Sequence, residues 1–326
     1  MAARYFRSLP ASLWKYHCVE GAYRAFPSVH SDNFFDLLAS KAPGVLPAGS
    51  RCVSLQVVAQ RMKSVGNIQK ITAAMKMVAA SRLKGAQMKM EKSRGLVLPL
   101  TRILGDVPGA KSDTSTIIPI SSDKGLCGGI NSTVVKVSKA VSSSTESNSS
   151  INIIGEKARG QLAKIFSNTL KNVILDVTKV PLSFSTASLV TDTILSDGAH
   201  KHQIIYNRFL SVISFKPTVS TVLSAEGYEK MAESGANSFD EYELEGSDRS
   251  ELLLDLAEFK LGAIMYNALL ENSTSELGSR MQSMENSTKN AKDMLGKLTL
   301  LYNRTRQASI TTELIEIISG ASALEE

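Results

Sequence analysis

Cysteine, histidine and aromatic side chains are all scarce in this chain. Its 326 residues hold three cysteines and four histidines. Cys18, Cys52 and Cys127 form no CxxC pair, and none stands at metal-ligand spacing from His17, His30, His200 or His202. Neither a disulfide framework nor a metal site is expected. Cys127 also lacks a sequence-adjacent base and orienting group, so a catalytic thiol is not indicated. No apolar run approaches the roughly 20 residues that a membrane-spanning helix requires. There is no GxxxxGK[ST] and no GxGxxG, which leaves no recognisable phosphate cradle and no expected cofactor.

The gaps are positional too. Eight of the aromatics lie in the first fifty residues, at Tyr5, Phe6, Trp14, Tyr16, Tyr23, Phe26, Phe34 and Phe35. The remainder is aromatic-poor, which suits helix seams packed with aliphatic residues. No acid precedes Glu20, while Arg4, Arg7 and Lys15 are basic. Residues 1–52 therefore read as an organelle-import leader, ending near the Pro/Gly stretch from Lys41 to Ser50. No proline follows Pro217.

What is present is organised around two long helical patterns. Val58, Met62, Val65, Ile68, Ile71, Met75, Val78, Leu83, Ala86 and Met90 recur at steps of mostly three and four, predicting one apolar stripe on a helix within 55–108. Pro99 should end or kink it. At 251–326 a second pattern runs through Leu277, Met281, Met284, Thr288, Ala291, Leu295, Leu298 and Tyr302, the alternating four-three spacing of a coiled coil. Each helix would be roughly 60–90 Å long at 1.5 Å per residue, too long for an ordinary domain helix. Gly66, Gly85, Gly278 and Gly296 weaken the helices by about 1 kcal/mol each against Ala, partly offset if they allow close approach.

Between them, residues 113–225 alternate short β-branched runs with helical stretches, predicting a mainly parallel sheet with helices on both faces. The fold class is α/β: a long antiparallel coiled coil of the terminal helices with an inserted Rossmann-like domain. Residues 226–250 read as an acidic linker. The Ser121–Asn131 segment is a glycine-rich turn between strand and helix. The first long helix carries nine basic residues from Arg61 to Arg94 against the single acid Glu91. That surface suits either a nucleic-acid backbone or an acidic protein face.

Three runs, Arg61–Lys84, Ser121–Asn131 and Tyr302–Ala323, closely resemble the gamma-subunit family of the F-type rotary ATP synthases, in a mitochondrial and plant-like form. The likeness covers essentially everything from Gln56 onward. It implies a central rotor subunit without a catalytic centre of its own, on the matrix side of the mitochondrial inner membrane and peripheral to it. The implied partners are the alpha and beta subunits, the delta and epsilon subunits and the c-ring, with no nucleic acid. Arg306, Gln307 and Thr311 match positions that engage catch loops of the alpha–beta hexamer. Met75 and Lys76 match positions facing the acidic levers of the beta subunits, although the basic residue at 76 departs from relatives that carry an acid there. Arg82 is a further implied hexamer contact. Leu314, Ile317, Ile318 and Leu324 belong to a tip turning in an apolar bearing, and Tyr242 and Glu245 to a ring contact.

Overall fold

The computed structural model describes residues 55–106, 114–144, 149–228 and 249–325. The expected leader, nearly all of the acidic linker, and Tyr242 and Glu245 lie outside the described residues.

Helix α1 spans Leu55–Leu104. Of the end or kink expected at Pro99, the end does not occur, because the helix passes through. Proline forfeits one backbone hydrogen bond. Beyond it, however, Leu100 and Leu104 are buried, and Leu104 packs against Leu223, Tyr228, Leu253 and Ala257. Burying side chains of this size is worth about 1.5–3 kcal/mol each, enough to hold the last turn in place.

Five strands follow: β1 (Ser115–Pro119), β2 (Ser149–Ile154), β3 (Leu170–Ile174), β4 (Lys201–Phe209) and β5 (Phe215–Leu223). They alternate with helices α2 (Ile130–Ser144), α3 (Glu156–Leu162) and α4 (Phe184–Leu195). The sheet order is β3-β2-β1-β4-β5. The first four strands are mutually parallel, and β5 returns antiparallel to β4 through a tight hairpin. The β2–α3 turn is made at Gly155, where φ is 97° and an added Cβ would lie 2.6 Å from the Ser121 carbonyl oxygen. Only glycine fits that turn.

Each sheet face is covered, as the alternation predicted. On one side Ile117, Ile151, Ile153 and Ile205 pack against Val134 and Val135 of α2 and Ala158 and Leu162 of α3. On the other, Ile118, Ile154, Ile204 and Tyr206 meet α4 and the long C-terminal helix α5 (Arg249–Glu325). Leu261, Ile264, Met265 and Leu269 of α5 belong to that core. The terminal helix is therefore more than a coiled-coil strand. Its first part is the fourth helix of the α/β layer, and its later part pairs with α1.

Candidate functional site

The pairing of α1 with α5 is antiparallel. Ser93 donates its hydroxyl to Asn267 Oδ1 (2.8 Å), Lys76 lies 3.3 Å from Glu285, and Thr288 donates to Thr72 Oγ1 (2.8 Å). On α5 the predicted seam is correct: Met284 and Ala291 are buried and Leu277, Met281, Thr288, Leu295, Leu298 and Tyr302 are half-buried. The same spacing continues to Thr305 and Ser309, two turns past where apolar residues made it visible.

On α1 the seam differs from the apolar stripe. Its ends are as expected, with Val58, Leu83 and Met90 buried. In between, Gln69, Thr72, Lys76 and Ala79 face α5, while Ile68 (51% exposed), Ile71 (53%), Met75 (39%) and Val78 (53%) face outward. A seven-residue repeat carried from Val58 and Val65 reaches 69, 72, 76 and 79 before Leu83, whereas the apolar residues sit one position earlier. The continuous repeat decides which face turns inward. Over this stretch the inward side is mostly polar and the outward side carries an exposed apolar stripe.

The expected contact residues divide accordingly. Met75 and Arg82 are exposed. Lys76 is turned into the seam toward Glu285, not outward beside Met75. Arg306, Gln307 and Thr311 are exposed on α5, where Thr311 Oγ1 returns to the Gln307 carbonyl (2.9 Å). Beyond Ser309 every described side chain of α5 is exposed, including Leu314, Ile317, Ile318 and Leu324. The helix end is thus an apolar surface left exposed among the described residues.

Where the rod joins the α/β domain, the fastening is polar. Arg94 of α1 binds Glu271 of α5 through Nε and Nη2, and the same Nη2 donates to the Phe209 carbonyl (2.6 Å). Glu271 Oε2 also accepts from the Phe209 amide (2.8 Å). The carboxylate hydrogen bond holds the Arg94 pKa above its ordinary value. Further down, the wholly buried Lys260 donates to the Gly105 carbonyl at the end of α1 (2.6 Å) and to the Tyr228 hydroxyl (2.8 Å). Burial lowers its pKa to about 8, opposed by nearby Asp106, and burial pushes Tyr228 up to about 12. None of these residues stood out in the sequence. The available signal was a lysine and a glutamate at 260 and 271, bracketing the apolar run of α5.

The glycine turn lies at the carboxyl end of β1, beside β4, where strand order reverses and doubly wound folds bind their ligands. Here α5 lies against it. Ser279 Oγ donates to the Cys127 carbonyl (2.5 Å), and Arg280 Nη2 reaches the Gly125 carbonyl (3.4 Å) while paired with Glu276. A Cβ on Gly128, whose φ is 61°, would come 3.2 Å from Ser279 Oγ. The glycine therefore serves both a left-handed turn and the close approach of α5. Asp123 accepts from the Glu156 and Asp176 amides and the Thr178 hydroxyl, tying the turn to α3 and the end of β3. Cys127 is buried, with its thiol donated to the Lys124 carbonyl (3.1 Å). Gly278 approaches the hairpin, its added Cβ meeting the Val212 carbonyl oxygen at 3.1 Å. Gly66, Gly85 and Gly296 have nothing within 4 Å of a Cβ, so the expected close approach of helices at those three does not occur.

A two-helix rod that is fastened at one end to a small α/β domain and carries an exposed apolar tip at the other defines a shaft-like scaffold. The family described as ATP synthase matches residues 54–324. The mitochondrial ATP synthase subunit gamma of Ipomoea batatas is 51% identical over 295 residues, covering 88% of this chain and 90% of its own. That of Arabidopsis thaliana is 52% identical over 287 residues, covering 85% and 87%. A chain in the structure of the Euglena gracilis mitochondrial ATP synthase, OSCP/F1/c-ring in rotational state 3, matches the fold with a TM-score of 0.73 at 23% identity, covering 83% of this chain and 94% of that one. The chain belongs to the gamma-subunit family of the mitochondrial ATP synthases.

Proposed function

We propose that the chain is the central rotor shaft of a proton-driven ATP synthase, a non-catalytic subunit on the matrix side of the mitochondrial inner membrane. The observation that carries this reading is the split surface of the rod. Its buried seam and polar fastenings make it one stiff body, while its outer α1 stripe and its α5 tip present apolar surface to something else. Among the described residues no helix is long and apolar enough to cross a membrane, so the shaft would meet the membrane sector through other subunits.

In this reading the tip from Leu314 to Leu324 turns inside a hexamer of alpha and beta subunits. Arg306, Gln307 and Thr311 engage its catch loops, and Met75 and Arg82 pass the acidic levers of the beta subunits. The α/β domain is the foot, toward the c-ring and the delta and epsilon subunits, with Tyr242 and Glu245 on the ring side. The shaft is asymmetric, so each orientation offers a different contact to each beta subunit. Contacts of that kind shift a subunit between conformations by differential binding and so change its nucleotide affinity, without any bond chemistry on the shaft.

The test is cross-linking in the complex isolated from mitochondria. Links from Arg82–Lys84 and from Ile310–Leu324 to alpha and beta chains are expected. A chain that purifies free of any nucleotide-binding partner would overturn the reading.

A further inference from the structure

The inverted stretch of α1 poses a choice that hydrophobicity alone would settle the other way. Ile68, Ile71, Met75 and Val78 have the same three-four-three spacing as Gln69, Thr72, Lys76 and Ala79, one residue out of step. A local turn of the helix by one residue, about 100°, would swap the two sets. Burying the apolar set would take more apolar surface out of water than the native setting does. The native setting forgoes that burial, and its seam at this level is held by a run of polar contacts. Thr288 donates to Thr72 Oγ1, which donates to the Gln69 carbonyl (3.0 Å). One turn on, the Lys76 ammonium meets Glu285 Oε1 at 3.3 Å, and Lys289 lies 4.0 Å from the same oxygen.

We infer that the Lys76–Glu285 pair, backed by the Thr288–Thr72 hydrogen bond, is a rotational key: a pair of positioning residues that keeps the apolar stripe of α1 facing out. A polar side chain at one seam position is the best-attested way for paired helices to fix their register. At 39% and 32% exposed, the ion pair adds little net stability. Its effect lies in discrimination, because the swapped setting would leave Glu285 facing Met75. The functional meaning of the key rests on the rotor reading, in which the outward stripe is what the surrounding subunits touch.

The test uses the full chain with Cys18 and Cys52 replaced by serine and buried Cys127 left in place. Gln69→Cys with Ala291→Cys, one turn along the same antiparallel seam from Thr72 and Thr288, reports the native setting through its disulfide yield, and Ile68→Cys with Ala291→Cys reports the swapped one. Lys76→Glu should lower the ratio of native to swapped yield about threefold, the scale of one half-exposed charge interaction. Adding Glu285→Lys should restore it. Glu285→Lys alone supplies the same contest from α5 if Lys76→Glu does not accumulate. In the assembled complex, Lys76→Glu should reduce ATP synthesis and the double reversal should recover it. An unchanged yield ratio in the single variants, or a double variant no better than either single, overturns the key. If the variants shift the ratio yet make ATP normally, the positioning role is overturned. A chain that never joins an alpha–beta hexamer overturns the rotor reading, while the disulfide ratio still decides the key.

Discussion

Arg94 and Glu271 face each other across the two long helices at the level where the β4–β5 hairpin begins, and between them they bind both backbone groups of Phe209. One ion pair thus joins three segments that are far apart in sequence. Glu271 is buried, so removing its partner strands a charge. Arg94→Ala should cost about 3 kcal/mol, read as a lower denaturant midpoint, and Arg94→Lys most of that, because a lysine cannot bond the carboxylate through two nitrogens at once. A loss below about 0.5 kcal/mol, the scale of an ordinary surface change, would mean that the pair does not fasten the rod.

His202 is buried on β4, and neither ring nitrogen finds a hydrogen-bond partner. Burial lowers its pKa to about 4, with Asp197 opposing and His200 adding to the shift. Between about pH 6.5 and 4 the unfolded chain takes up a proton that the folded chain refuses, so stability falls as pH drops through that window, by roughly 3 kcal/mol in full. Unfolding midpoints measured across the window should show the fall, and His202→Leu should flatten it. An equal slope in the variant would show that other groups carry the acid sensitivity.

Lys260 behaves in the opposite range. Its pKa of about 8 lies below the ordinary 10.5. Between the two values the unfolded chain holds more protons, so this lysine's contribution to stability rises as pH climbs from about 8 to 10.5. Lys260→Met should remove that rise. Tyr228, pushed up to about 12, works against it above pH 10, where the unfolded phenol ionises first.

Gly155→Ala should be among the most damaging single-atom additions in the α/β domain. The residue has a φ of 97° and the new methyl would collide with Ser121 backbone atoms. A loss of about 2 kcal/mol or more is expected from strain at such a position, measured as a lower melting temperature.

At the proposed contact surfaces, Arg306→Ala should weaken coupling of ATP synthesis to proton flow more than Lys92→Ala does. Both side chains are exposed, so neither change should alter the stability of the isolated chain by more than about 0.5 kcal/mol. Equal effects on coupling would count against a catch at Arg306.

The sequence made the larger elements legible because they rest on periodicity. Leu277 through Tyr302 announced the α5 seam, and the alternation of short β-branched runs with helical stretches across 113–225 announced the sheet. It misled at Ile68–Val78, where apolar content and helical phase disagree and only the continuous repeat from Val58 to Leu83 could arbitrate. The glycine turn matched no phosphate-binding pattern, yet its packing role stayed hidden because nothing local reveals that Ser279 and Arg280, some 150 residues away, lie against it. Arg94–Glu271 and Lys260–Tyr228 were illegible for the same reason. A buried polar contact is a property of two distant positions, and neither residue alone announces it.

The rotor claim is tested most directly by watching the foot turn. With the alpha–beta hexamer fixed to a surface and a bead attached at Lys164→Cys, an exposed position on the α/β domain, addition of ATP should drive the bead round in one direction in discrete steps. A bead that stays still while the same hexamers release phosphate would contradict the account.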